Sequence, residues 1–323
     1  MVLLLEAIKI LLEDDLTFDS PNLFPYNSID NPNFEVQTQN QMIRRRLFYF
    51  FLVFSIISNA QITYTAADST LFYSKLKELS QIEGEHLGDS LVFVGKSFLD
   101  TPYIEKTLEI GQVETLVINL RGLDCTTFVE NALAFTTTFK NEQSDFTDFA
   151  QNLKTIRYRN GVLDGYSSRL HYFTDWIRNN EKKGLVKDIT SELGGIAHNK
   201  PINFMGTHRD LYPFLKQDKN YNAILEAEAG LAQENLCILA RDQIENSEHL
   251  IQSGDIIALA TSIKGLDVTH TGIAIREADG RIHLLHASIS GSVRITQEPL
   301  VDYLKKIKSN IGIIVARPTL LSP

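Results

Sequence analysis

Cysteine is scarce in this chain: Cys125 and Cys237 are the two among 323 residues. A scaffold stapled by several disulfides is therefore excluded. A single Cys125–Cys237 bridge stays open at this level, with a reduced, working Cys125 as the sharper alternative. Positive charge is short as well, with 31 Lys and Arg against 40 Asp and Glu and a formal net charge of −9. No basic footprint for a nucleic-acid partner exists. Internal repeats and low-complexity tracts are missing, which excludes solenoids and disordered linkers as the main architecture. The apolar run Leu47–Ile57 is too short to span a bilayer comfortably. What remains is a hydrophobic content of 43%, ordinary for a globular protein.

That short run has a second meaning. Residues 42–60 open with Met42-Ile43-Arg44-Arg45-Arg46, continue with the apolar run and end on Ser58-Asn59-Ala60 before Gln61. Basic, apolar and small-residue regions in that order read as a signal peptide cleaved near Gln61. A membrane anchor is the competing reading. Residues 1–41 then count as a non-native or disordered extension ahead of an initiator at Met42. No cysteine for lipidation follows the run, so an exported, periplasmic or secreted, soluble protein is expected. Residues 61–323 suit a single catalytic domain.

Along that stretch, 68–80 and 87–99 carry apolar residues at helical spacing (Leu71, Leu76 and Leu79, then Leu91, Val92 and Phe98). Residues 113–120 read as a strand and 121–124 as a turn. Cys125–Phe139 reads as a helix with Phe128, Ala132 and Phe135 on one face. Residues at about 140–250 are mixed and read as an insertion into a smaller core. The C-terminal part is β: 255–260, 270–276, 281–288, 293–296 and 312–317. Short strands at this spacing predict an antiparallel, partly closed sheet.

Chemistry can begin at Cys125. Asp124 is a good N-cap, so Cys125 falls at the positive end of a helix. That position is expected to lower the thiol pKa and favour thiolate. A small buried apolar residue is the bland alternative, and Cys237 fits it. A nucleophilic thiol needs a base, and the base an orienting partner. His270 opens a strand, and Gly272 leaves room for a helix or substrate to approach. His283 and His286 sit on the next strand, three apart and so on opposite faces. They cannot both serve His270, nor chelate one metal together. A three-residue loop Ala278-Asp279-Gly280 puts His286 on the His270 face, whereas a two-residue Asp279-Gly280 turn selects His283. Local sequence leaves both registers open.

The stretches Thr101-Pro102-Tyr103, Leu123-Asp124-Cys125-Thr126-Thr127-Phe128, His270-Thr271-Gly272-Ile273 and His286-Ala287-Ser288 resemble the NlpC-type papain-like cell-wall hydrolases. Those proteins carry Pro-Tyr, then Asp-Cys-Ser-Gly-Phe at a helix start, His-x-Gly-Ile at a strand start and His-Ala-Ser on the next strand. Thr126-Thr127 departs from the usual Ser-Gly. With Ser168–Trp176, Asn203-Phe204-Met205 and Val315-Ala316-Arg317-Pro318, the chain resembles the N-acetylmuramoyl-L-alanine amidase-like branch over most of residues 70–318. The resemblance implies an α+β, papain-like fold with the cysteine helix packed on an antiparallel sheet. It also implies Cys125 as nucleophile, His270 as base, His286 as third member and Tyr103 beside the nucleophile.

The expected reaction is hydrolysis of the amide joining muramic-acid lactate to L-alanine in peptidoglycan or a muropeptide, by a monomer, without metal or organic cofactor. A stem-peptide peptidase cutting after D-glutamate and a non-catalytic wall-binding module are the rivals. Four polar residues in the 140–250 segment are candidates for holding substrate. Arg169 suits a peptide carboxylate. His171 and Asp175 share a face at helical spacing, and His208 joins them on weaker grounds. A solvated helix face is the bland alternative.

Overall fold

The computed structural model describes residues 62–79 and 86–319, all within one compact unit, Asn59–Pro323. The segments 1–41 and 42–60, read above as an extension and an export signal, lie outside the described residues. In chain order the elements are β1 (Ile62–Thr63), α1 (Ala66–Leu79), α2 (Leu87–Lys96), β2 (Leu116–Val117), α3 (Cys125–Lys140), α4 (Phe146–Arg157) and α5 (Phe173–Lys182). Then come β3 (Val186–Asp188), β4 (Ile196–His198), α6 (Phe204–Thr207), α7 (Asp218–Leu231), β5 (Leu236–Ala240), α8 (Ile244–Ser247) and β6 (Ile256–Thr261). The chain closes with β7 (Val268–Arg276), β8 (Ile282–Ala287), β9 (Val293–Ile295), α9 (Leu300–Lys305) and β10 (Asn310–Pro318). Among the described residues no helix is long and apolar enough to cross a membrane.

The main sheet runs β4-β5-β10-β6-β7-β8-β9, with β3 also on β10. Every pairing in it is antiparallel. The order is an open path rather than the partly closed sheet expected. β10 bonds β5 and β3 in succession along one edge and β6 along the other, so the 140–250 segment is built into the sheet rather than standing apart from it.

Alternation along the strands sends side chains to two faces, and both are covered. Ile256, Ala258, Ile273, Ile275 and Leu285 join one core with α2, α3 and α4. Ile257, Leu259, Ala274, Ile282 and Leu284 join the other, with Leu300, Val301 and Leu304 of α9. Hence β6 is buried along its whole length. The aromatic residues of the first core interlock, Phe98 edge to face on Phe135 with centroids 5.8 Å apart and Phe149 tilted on Phe135 at 4.5 Å. Such pairs add to area burial and hold α3 rigidly on the sheet.

One strand is shorter than its sequence predicts. In 113–120 only Leu116–Val117 pairs, with β1. Glu114 is drawn inward, where Tyr158 Oη donates to its carboxylate at 2.9 Å and Arg169 Nε lies 2.9 Å away. The chain must bend to deliver it.

Candidate active site

The Cys125 helix starts where its sequence says. Asp124 is the N-cap: its carboxylate accepts from Thr127 N–H at 2.8 Å, and the Thr127 hydroxyl accepts from Asp124 N–H at 2.9 Å. This reciprocal capping box fixes Cys125 as the first helical residue. Cys125 and Cys237 are both free and both partly open to solvent. No bridge joins them.

The hairpin decides the histidines. Glu277 N–H donates to Arg281 O at 3.0 Å and Gly280 N–H to Glu277 O at 2.9 Å. The loop is the three-residue one, with Gly280 at φ 78° in the left-handed region that glycine enters freely. The pairs Ile273↔Leu285 and Ile275↔His283 follow. His270 and His286 therefore share a face, and His270 Nε2 lies 2.5 Å from His286 Nδ1, with the rings edge to face. His283 turns the other way, donating from Nδ1 to Thr296 O at 2.8 Å and placing Nε2 3.1 Å from Asp279 Oδ2.

A bulge in β7 sets the strand's start. Leu259 pairs with His270 but Ala260 with Val268, leaving Thr269 over, and bulges of this kind re-aim side chains beside sites. The next residue grips the helix: the Thr271 hydroxyl donates to Cys125 O at 2.9 Å. Gly272 leaves no empty room for a substrate. A β-carbon there would meet the Leu284 side chain and Leu285 O at 2.8 Å.

The electrostatics run against one expectation. The Cys125 thiol is pushed up to about 11, first by burial and then by the Asp124 carboxylate, over hydrogen bonds from Thr271 and Thr126 that favour thiolate. Helix polarity therefore does not leave a resting thiolate, because desolvation outweighs it. Burial takes His270 down to about 4. Burial, then the charges of His270 and Arg294, take His286 down to about 3. Burial thus favours the neutral forms of the Cys125 thiol and of both imidazoles. Tyr103, bridged to Leu123 next to the helix cap, is pushed up to about 12, mainly by burial and then by Cys125 and Asp124.

The substrate-holding candidates are placed otherwise. Arg169 is 11% exposed and already answers two carboxylates, Glu109 at 2.6 Å and Glu114 at 2.9 Å, so it has no open face for a peptide carboxylate. His171 precedes α5 rather than sharing a helical face with Asp175. Its Nε2 donates to Tyr166 O at 2.8 Å, and burial and Arg169 keep it neutral. Asp175 takes a bidentate pair from Arg159 at 3.0 and 2.6 Å. His208 stacks on Phe204 at 4.0 Å and bonds Phe204 O at 2.9 Å. Arg169, His171 and Asp175 are thus engaged by partners within the fold, while His208 is exposed and its ring contacts its own local segment.

Two site residues escape sequence reading. Tyr303 of α9 packs its ring 5.6 Å from that of His286, and its hydroxyl is pushed up by burial first, then by Glu298 and Cys125. Arg294 of β9 is the direct cross-strand partner of His286. Neither lies in a motif, and the pairing that brings Arg294 to His286 crosses a loop with no register signal in the sequence. Among the described residues no group of three or more His, Cys, Asp or Glu side chains could hold a metal ion.

Comparison with known proteins places this site in context. No curated protein matches the chain. The solved structure of a Bacteroides uniformis N-acetylmuramoyl-L-alanine amidase is similar at 37% identity and a TM-score of 0.68, covering 72% of this chain and 99% of that one. A Bacteroides fragilis protein named as a candidate xylanase is similar at 43% identity and a TM-score of 0.66, over 70% and 99% of the two chains. A Legionella pneumophila protein of the DUF1460 family, at 23% identity and a TM-score of 0.59 over 78% and 95%, shares the fold. The model of the AmiA-like, N-acetylmuramoyl-L-alanine amidase-like, proteins matches residues 93–313. That span runs from α2 through the cysteine helix and both histidine strands into β10, and the chain belongs to the N-acetylmuramoyl-L-alanine amidase-like family.

Proposed function

We propose that this protein is an exported cysteine amidase of the NlpC-type papain-like kind, cleaving the amide between N-acetylmuramic acid and L-alanine in peptidoglycan or muropeptides. The observation that carries the reading is the 2.5 Å contact of His270 Nε2 with His286 Nδ1, on a strand whose Thr271 holds the first turn of the Cys125 helix. With Nε2–H donating to His286, Nδ1 of His270 keeps its lone pair for the thiol proton. Burial keeps both rings neutral, which is the form a base and its acceptor partner need.

Attack is concerted with proton transfer. Sulfur adds to the carbonyl carbon as its proton passes to His270, and Thr271, Thr126 and the helix N-terminus stabilise the charge that develops. Cys125 N–H, with the Tyr103 hydroxyl, receives the oxyanion, a contribution of about 3–4 kcal/mol per donor in comparable sites. Imidazolium of His270 then protonates the leaving amine, and water hydrolyses the thioester. Glycoside hydrolysis, the activity named for one neighbour, uses a pair of carboxylates. Here the carboxylate beside the nucleophile is Asp124, which is committed to the helix cap.

Mass spectrometry of products from defined muropeptides tests the reading. Free L-alanyl peptide with intact N-acetylmuramic acid is expected. Release of N-acetylmuramoyl-L-alanyl-D-glutamate with the MurNAc–L-alanine amide intact, or no cleavage at all, overturns it. Export is proposed from the basic, apolar and small-residue order of residues 42–60, and the mature chain is proposed to begin near Gln61 and to act as a monomer.

A further inference from the structure

Arg294 is an exposed residue beside a buried catalytic pair. It is the Cα partner of His286 across β8 and β9, so their side chains leave the same face of the sheet. Its guanidinium lies back over the loop between those strands: a β-carbon built at Gly291 would be 3.4 Å from Arg294 Nη2. Gly291, at φ 148°, sits where side chains are rarely tolerated, so that flank of the guanidinium stays open. The same loop is tied to the other wall of the site, since Tyr103 N–H donates to Gly291 O at 2.8 Å. The guanidinium thus stands between the His286 strand and the Tyr103 segment.

Other arginines of this fold have carboxylates: Arg157 holds Glu130, Arg159 holds Asp175, Arg169 holds Glu109 and Arg281 holds Glu248. The Arg294 side chain has neither a hydrogen bond nor an ion pair among the described residues. A planar fork of donors, exposed and unfilled at a reacting centre, matches a carboxylate.

We propose that Arg294 determines specificity by receiving the α-carboxylate of the second stem-peptide residue, the first anion beyond the scissile nitrogen. This rests on the amidase reading above, which puts L-alanine immediately beyond that nitrogen. The reach is right. One extended residue and a carboxylate extend about 7 Å past the cleaved bond. Two strand spacings of about 4.8 Å separate the His270 and Arg294 backbones, and the long arginine side chain covers the remainder.

The test uses two muramoyl-tripeptides that differ only in whether the second residue's α-carboxyl is free or amidated. Wild type is expected to favour the acid by about tenfold or more in kcat/KM, the scale of a charge-assisted bidentate pair. Arg294→Gln should lose that preference, read as the ratio of acid to amide kcat/KM within each variant, and Arg294→Lys should restore part of it. Thermal unfolding of each variant controls for fold. Equal use of acid and amide by wild type, or a preference that survives Arg294→Gln, overturns the proposal. Cleavage at another bond overturns the proposed function alone. In that event, calorimetric binding of both tripeptides to Cys125→Ala decides: an acid preference lost in Cys125→Ala/Arg294→Gln supports the carboxylate contact, and one that persists overturns it.

Discussion

His286→Asn separates the ring's two contributions, to the stability of the fold and to the orientation of the base. His286 is 2% exposed and its pKa falls from 6.5 to about 3 in the folded protein. Between those values the unfolded chain binds a proton that the folded chain does not. Stability from this group is therefore complete above pH 6.5 and drains away as pH falls toward 3. Going from pH 7 to pH 5, an ordinary imidazole gains most of a charge while this one gains almost none. The difference amounts to about 1.4 pKa units, or about 2 kcal/mol.

Chemical denaturation of wild type and His286→Asn at both pH values measures it. The variant should lose about 2 kcal/mol less than wild type over that interval. Its amide oxygen can still accept from His270 Nε2, so turnover should fall less than in His286→Ala, where the orienting acceptor is gone. Identical pH-dependent losses in wild type and variant would refute the assignment of a buried, neutral His286. Equal activity in all three proteins would refute its role in orienting the base.

Cys125→Ala and His270→Ala should each abolish turnover with native circular dichroism, because nucleophile and base act as one unit, whereas His283→Ala, which bonds Thr296 O away from the pair, should keep near wild-type single-turnover rates. Iodoacetamide should inactivate the enzyme and EDTA should not; chelator-sensitive hydrolysis indifferent to alkylation would indicate a metalloenzyme. Arg157→Met should cost about 3–5 kcal/mol in denaturant unfolding, because it strands the buried Glu130 of α3, 2.7 Å from the lost Nε and 2% exposed. The double variant Arg157→Met/Glu130→Leu should recover most of that, and equal losses in single and double variants would sink the argument. N-terminal sequencing of the exported protein should begin near Gln61, and a mature species retaining residues 1–41 would defeat that expectation.

Where one local interaction decides a feature, this sequence states it. Asp124 and Thr127 form a capping box that needs only neighbouring residues, so the start of the cysteine helix can be read directly. Phe128, Ala132 and Phe135 recur at helical spacing because one face must be buried. The strands of the hairpin are equally legible, though not their register. Two loop lengths fit Glu277–Arg281, and only the assembled sheet fixes the three-residue loop that turns His286 toward His270.

Longer-range partners lie beyond local pattern altogether. Arg169 is a polar residue in an apolar stretch, which invites a ligand reading; the tertiary fold instead brings Glu109 and Glu114 to it from some 60 positions away. Asp175 finds Arg159 in the same manner. Tyr303 and Arg294 reach the site through helix docking and strand pairing rather than through sequence neighbours. The thiol's acidity was decided by tertiary structure too. A helix start favours thiolate, but how much water the fold removes from Cys125 is set by everything packed around it, and here desolvation dominates. Sequence determined which groups could react. Packing determined that His286 meets His270, that Thr271 meets the Cys125 turn, and how much water each of these groups keeps.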